Sequence, residues 1–174
     1  MNSLVSWWKN LNMLTRFLIG FIVLMFLFYM FYLSPLYENF IMIPLLSLQA
    51  YLANLILVPL GYNTKTIEDT IFNDDFRVSI KGGCDGMEAT ALYLAAVLAF
   101  PGVSKNKKLH GIVIGLAVLF VLNIFRIAGL FIAGLQWKAG FEFLHLHGGV
   151  VLFTLIAIVL WLFWVNSIIK GNSK

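Results

Sequence analysis

One cysteine, one arginine set deep in an apolar run and two closely spaced histidines are the residues of this chain whose types could do covalent chemistry. Cys84 stands in "KGGCDGMEA", behind two glycines and directly before a hydrophobic stretch. Arg126 lies in "LNIFRIAGL", and His145 and His147 lie in "FLHLHGG". A thiolate attacks carbonyl carbon, an imidazole moves the proton, and a cation stabilises either the thiolate or an oxyanion, so together these types suit thiol acyl transfer. Each also has a plainer reading. Cys84 suits a small packing residue at a helix end, Arg126 a side chain that snorkels to an interface, and the histidines an interfacial polar cluster. His145-x-His147 also has the look of a metal pair, but no third ligand accompanies it at a convincing spacing, and no other motif points to a metal or cofactor. Asn123, one turn before Arg126, can share its helix face and its hydrogen-bond partner. Asp85, next to Cys84, opposes thiolate formation.

The elements that must position these residues are set by composition. With 61% hydrophobic residues, 11% charged residues and a mean hydropathy of +0.91, the 174-residue chain is too apolar for a soluble domain. It reads as an all-α polytopic membrane protein of one domain. A single cysteine excludes an intramolecular disulfide. The N-terminal apolar run is too long for a cleavable signal and reads as a retained first span. The chain lacks a G-x-S-x-G serine, an H-E-x-x-H pair and a phosphate-binding loop, and nothing supports nucleic-acid binding.

Four spans are expected, at about 14–33, 85–101, 111–135 and 148–169, with both termini cytoplasmic. The stretch 36–60, broken by Pro44 and Pro59 and carrying several polar residues, reads as an interfacial or re-entrant helix on the outer face. Charge favours this over a fifth span. It puts Lys9, Arg16, Lys105, Lys107, Lys108, Lys170 and Lys174 on the cytoplasmic side, and leaves all eight carboxylates, Glu142 among them, outside or at the outer interface. Residues 63–81 alternate around "NDD" and predict a short β-hairpin within an extracytoplasmic region of about 35–83. Ala91, Ala95 and Ala99, like Gly111 and Gly115, recur every four residues as close-packing faces. In this topology Arg126, 16 residues beyond His110, lies about 24 Å into a core of about 30 Å. Cys84, Arg126 and the histidines then converge on one depth in the outer leaflet.

In this order, "GGCDGMEATALYLAAVLAFP", "LNIFRIAGL" and "FLHLHGG" resemble the exosortase/archaeosortase family of membrane-embedded protein-sorting enzymes, and the resemblance covers about residues 63–165. It implies a Cys, Arg, His triad of Cys84, Arg126 and His145. His145 and Gly149 fit the family's H-x-x-x-G spacing, and His147 is the fallback. "CDGMEA" is similar to the small exosortase H type, although Asp85 stands where a neutral residue is common and the chain is compact for the family. The resemblance implies a cysteine protease or transpeptidase of the cytoplasmic (inner) membrane with an extracytoplasmic active site. Its substrates would be secreted proteins with a C-terminal sorting signal made of a short motif, a hydrophobic span and a basic tail. A thioacyl intermediate would pass to a cell-surface acceptor or to water. Asp85, Glu88 and Asn123 are the supporting or substrate-binding residues. Asp85 and Glu88 are open to three roles: tuning the thiol, binding the substrate's polar motif, or pairing with Arg126. The competing class is a non-enzymatic membrane assembly or partner protein, in which Cys84 is packed and Arg126 pairs with Glu88 or Asp85. A transporter finds no inverted repeat to support it.

Overall fold

The structure, a computed structural model, describes residues 7–8, 10–137, 140–141 and 149–171. Five helices organise it: α1 (Met13–Tyr32), α2 (Pro35–Leu57), α3 (Met87–Ala99), α4 (Lys105–Gln136) and α5 (Gly149–Gly171). Between α2 and α3 lie β1 (Lys65–Ile67), β2 (Thr70–Phe72) and β3 (Arg77–Ser79). The all-α polytopic class expected from composition is the class of the fold, with one small sheet added.

Local chemistry fixes the ends of the helices. The Asn12 side chain accepts the Thr15 amide at 2.7 Å and opens α1. No residue of α1 is buried, so much of its apolar surface is left to face lipid. Ser34 caps α2, and Pro35 takes a first-turn position where its missing amide costs nothing. Pro44 has no amide to give the preceding turn. The helix passes it through a π-helical turn, Glu38–Met42, and does not break there.

Among the described residues four helices are long and apolar enough to cross a membrane: α1, α2, α4 and α5. The expected four included 85–101 and left out 36–60. The difference has two causes. The turn at Asp85–Gly86 and the extended Phe100 before Pro101 cut α3 to 13 residues, about 20 Å of helix. And Pro44 interrupts α2 less than its sequence suggests, leaving 23 helical residues.

Helix directions nevertheless keep 58–86 at one end of the molecule. Phe17 of α1 lies 6.2 Å from Phe100 beyond the end of α3, whereas Tyr32 at the other end of α1 reaches Gly82 ahead of α3, so α1 and α3 are antiparallel. A short turn at 100–104 makes α4 antiparallel to α3 in turn, and therefore parallel to α1. Leu45 and Gln49 near the start of α2 share a cavity wall with Leu116, Leu119 and Asn123. Past its end, the Tyr62 ring packs 6.5 Å from Phe131, and Gln136 donates to the Tyr62 hydroxyl at 3.2 Å. Hence α2 also runs parallel to α4. It does not turn back along α1.

The expected hairpin is a three-stranded antiparallel meander, β1-β2-β3. "TIEDTIF" is not one strand, because Glu68 takes φ 52° and turns the chain between β1 and β2. The Asn73 side chain accepts the Asp75 and Phe76 amides at 3.1 and 2.8 Å and makes the second turn. The inner face of the sheet, Ile71, Val78 and Ile80, joins Leu46, Ala50, Ala53 and Leu57 of α2 and Ile127 and Phe131 of α4 in one core.

At the opposite end α3 is held centrally against α1, α4 and α5. The small-residue faces work as expected. Ala99 lies against Gly20, while Gly111 and Gly115 admit the rings of Trp164 and Tyr93. Tyr93 donates to the Gly111 carbonyl at 2.8 Å, and Trp164 to the Lys107 carbonyl at 3.3 Å. Gly115→Leu is therefore expected to lower stability by roughly 1–3 kcal/mol, by displacing Tyr93. Gly129→Leu, where a Cβ meets nothing within 4 Å, is expected to leave it unchanged. Thermal unfolding of both variants in one detergent is the check, and equal midpoints would remove this account of α3 packing.

Candidate active site

Cys84 is presented by the loop between β3 and α3. The ladder ends with the Ile80 amide on the Asp69 carbonyl at 3.0 Å, and the Cys84 amide then turns back onto the Lys81 carbonyl at 2.9 Å. Gly83 (φ 88°) and Gly86 (φ 75°) adopt left-handed backbone. A Cβ on Gly86 would stand 3.0 Å from Asn123 Cγ, so a side chain there meets both backbone strain and a neighbour. The glycines around the cysteine are thus conformational necessities that bring the loop down onto α4.

From α4, Asn123 and Arg126 face this loop together. Arg126 Nη2 donates to Cys84 Sγ at 3.7 Å, and Nη1 reaches Asn123 Oδ1 at 3.4 Å. Asn123 Nδ2 donates to the Cys84 carbonyl at 3.2 Å. Arg126 Cζ lies 5.1 Å above the Phe153 ring of α5. Its Nε is buried and has no hydrogen-bond acceptor among the described residues. Gly149, the first residue of α5, lies directly against the guanidinium, where any Cβ would collide with it. Cys84 is 8% exposed and Asn123 1%.

Cys84, Arg126 and Asn123, expected to act together, are therefore in contact. Asp85 is adjacent but oriented elsewhere. Its carboxylate accepts the Tyr37 hydroxyl at 3.1 Å and the Met87 amide at 3.1 Å, and its carbonyl accepts Gln49 Nε2 at 2.9 Å. Glu88 lines the same crevice as Arg126. Among the described residues neither carboxylate forms an ion pair with Arg126, which removes the pairing expected of a non-enzymatic partner protein. His145 and His147 lie outside the described residues, as does Glu142.

Sequence reasoning missed Tyr37 and Gln49. Both are almost fully buried, at 1% exposed, and both fasten the cysteine loop. A signal for Gln49 existed: it falls on the same stripe as Leu46, Ala50, Ala53 and Leu57, the buried face of α2, where an amide needs a partner.

The electrostatics correct one expectation. A nearby cation that stabilises the thiolate is expected to bring the thiol down. Instead burial pushes the Cys84 thiol above its ordinary value; the charge and hydrogen bond of Arg126 pull it back only in part, and Asp85 pushes it further up. Asp85, in the same loop, is itself raised by burial, against the lowering effect of its Met87 and Tyr37 hydrogen bonds.

Two crevices flank the thiol and guanidinium, one lined by Gly83, Glu88, Arg126 and Phe153, the other by Val78, Ile80, Cys84 and Ile127. A cavity of about 580 Å³ between α4 and α5, around Gly111 and Trp164, lies at the far end, away from Cys84. Among the described residues no three His, Cys, Asp or Glu side chains gather as a metal site.

Comparison with curated proteins and with solved structures returns no match. The transmembrane exosortase family (Exosortase_EpsH) matches residues 5–162, nearly the whole of the chain, from before α1 into α5. On that match the buried thiol and half-buried guanidinium sit in a multi-pass membrane protein that belongs to the transmembrane exosortase family.

Proposed function

We propose that the protein is a membrane-embedded cysteine peptidase and transpeptidase that cleaves C-terminal sorting signals of secreted proteins through a thioacyl intermediate. Membership of the family supports a membrane protease or transpeptidase role in general. The observation that carries the reading is the contact of Arg126 with Cys84 Sγ at 3.7 Å inside an otherwise apolar bundle. A guanidinium in that setting costs about 2.5 kcal/mol or more unless it is engaged, so its placement on a thiol calls for a functional reason.

The thiol is protonated at rest, because burial raises it. His145, four residues before Gly149, is the proposed base that takes its proton, with His147 as the alternative. The thiolate attacks the scissile carbonyl carbon, forming a C–S bond as the carbonyl electrons move to oxygen. Arg126, with Nε unused among the described residues, is placed to hold that oxyanion. Collapse breaks the C–N bond, and the departing amine takes the proton from the imidazolium. An amine, a hydroxyl or water then attacks the thioester, and Cys84 leaves as thiolate and recovers a proton.

Charge supports the side on which this happens. Arg16, Lys105, Lys107 and Lys108 cluster at the far end, whereas Glu68, Asp69, Asp74, Asp75, Asp85 and Glu88 lie at the end that holds Cys84. Under the positive-inside tendency the thiol then faces the extracytoplasmic side of the cytoplasmic membrane.

Co-expression with a secreted reporter that ends in such a signal provides the test. Cys84→Ala is expected to abolish processing and Arg126→Ala to lower it by about 100-fold or more. Asn123→Ala, which loosens the loop without removing the cation, is expected to cost about 10-fold. His145→Ala is expected to match Cys84→Ala, while His147→Ala retains activity. Processing that survives Cys84→Ala would rule out the mechanism.

The thiol itself gives a second measurement. Alkylation of Cys84 by a small neutral reagent is expected to rise with pH to an inflection above that of a free cysteine. In Arg126→Gln, which removes both lowering influences, the inflection moves higher still. An unchanged or lower inflection in that variant would separate the guanidinium from the thiol.

A further inference from the structure

The sheet beside the site has an open edge whose hydrogen-bonding groups can be assigned residue by residue. In the pairing of β2 with β3, Ile71 stands opposite Val78 and Thr70 opposite Ser79. The Ile80 amide bonds the Asp69 carbonyl at 3.0 Å, and the Asn73 amide bonds the Phe76 carbonyl at 3.0 Å. Since bonded and non-bonded pairs alternate in an antiparallel ladder, Phe76, Val78 and Ile80 direct their N–H and C=O groups toward β2. Arg77 and Ser79 must then direct theirs away from the sheet. Neither has a backbone partner for these groups among the described residues.

That edge is also the one that leads into the nucleophile. The turn closed by the Cys84 amide on the Lys81 carbonyl folds the thiol back beside β3, so that Val78, Ser79, Ile80 and Cys84 line one crevice against Ile127 and Leu130 of α4. Arg77 and Lys81 are exposed along the same strand and its extension, which favours a partner that carries a carboxylate. The other edge, β1, packs on α2 and is separated from β3 by β2.

We infer that the substrate docks as an added strand. An extended segment of peptide pairs its backbone with the outward N–H and C=O groups of Arg77 and Ser79, extends the sheet to four strands, and delivers its scissile carbonyl to Cys84. This rests on the peptidase reading above and gives it a recognition mode. Main-chain pairing supplies affinity and register, while the small crevice under Ile127 and Leu130 selects the side chain next to the thiol. Register matters because a shift of one residue would present a different peptide bond.

Proline scanning tests this without touching the catalytic residues. Ser79→Pro removes an outward amide, together with the Ser79 hydroxyl that donates to the Asp69 carboxylate at 3.1 Å, and leaves the β2–β3 backbone ladder intact. Thr66→Pro is its counterpart on β1. Thr70 and Phe72 of β2 face β1 and pair with Ile67 and Lys65, which leaves the Thr66 amide outward on the remote edge. In the reporter assay Ser79→Pro is expected to lower processing by about ten-fold or more, and Thr66→Pro by less than about two-fold. A second readout does not depend on cleavage. A photoreactive benzoylphenylalanine replacing Arg77 in a Cys84→Ala background is expected to cross-link the reporter's signal, and the same group replacing Lys65 is not. Processing unchanged by Ser79→Pro, or cross-linking equal at the two edges or absent from both, would overturn strand addition. Wild-type processing no faster than that of Cys84→Ala would instead overturn the peptidase reading, and the cross-links would still decide whether the edge binds peptide.

Discussion

A guanidinium half-buried near the end of an apolar bundle must have its charge and its donors met, and the structure around Arg126 is arranged by that demand. Lipid offers it nothing, and a lysine could withdraw its proton where an arginine cannot. One terminal nitrogen is taken by Asn123 and the other by the Cys84 sulfur, while the face of the Phe153 ring lies under the carbon. Space for this comes from missing side chains. Gly149 leaves the guanidinium room at the start of α5, and Gly86 leaves Asn123 room at the start of α3. A side chain at either glycine would push apart the helices that hold the cation.

Depth follows from the unequal lengths of two antiparallel neighbours. α4 has 32 residues, about 48 Å, and α3 has 13, about 20 Å. Because they are joined at one end, α3 stops at the level of Asn123 and the remainder of α4 extends beyond it. Cys84 therefore lies recessed beside α4 and below its tip. α2 and the sheet fill the step that is left: Ile71, Val78 and Ile80 share a core with Cys84, Ile124 and Ile127. This covering keeps bulk water from the sulfur and raises the strength of every charge interaction beneath it.

Much of this was legible in the residues. Apolar spans, alanine and glycine faces, and the grouping of Cys84, Arg126 and Asn123 all follow from periodicity and charge placement, since each depends on neighbours three or four positions away or on one shared depth. What was not legible depends on distant partners. Tyr37 and Gln49 reach Asp85 across 48 and 36 residues, and in isolation a glutamine among leucines looks like an interfacial helix. Likewise the direction of the thiol's shift is set by how much protein covers it, a property of the packed bundle that the "KGGCDG" loop does not disclose. Glu68 split one apparent strand into two because its left-handed backbone has no sequence mark as strong as a glycine.

Asp85 then ceases to be an anomaly beside Cys84. Its carboxylate and its carbonyl are anchors: Tyr37 and Gln49 of α2 hold them from one side and the Met87 amide from within α3, so the loop that bears Cys84 is fixed at both backbone and side chain. The cost is a thiol pushed upward, since burial and this carboxylate both disfavour the thiolate. Arg126 offsets that cost only in part at rest. Once the proton leaves, its contact with sulfur becomes an ion pair in a medium of low polarity, where the attraction is several-fold stronger than in water. A thiol that stays neutral is protected from stray oxidation and alkylation, and the anchored carboxylate is part of what keeps Cys84 so.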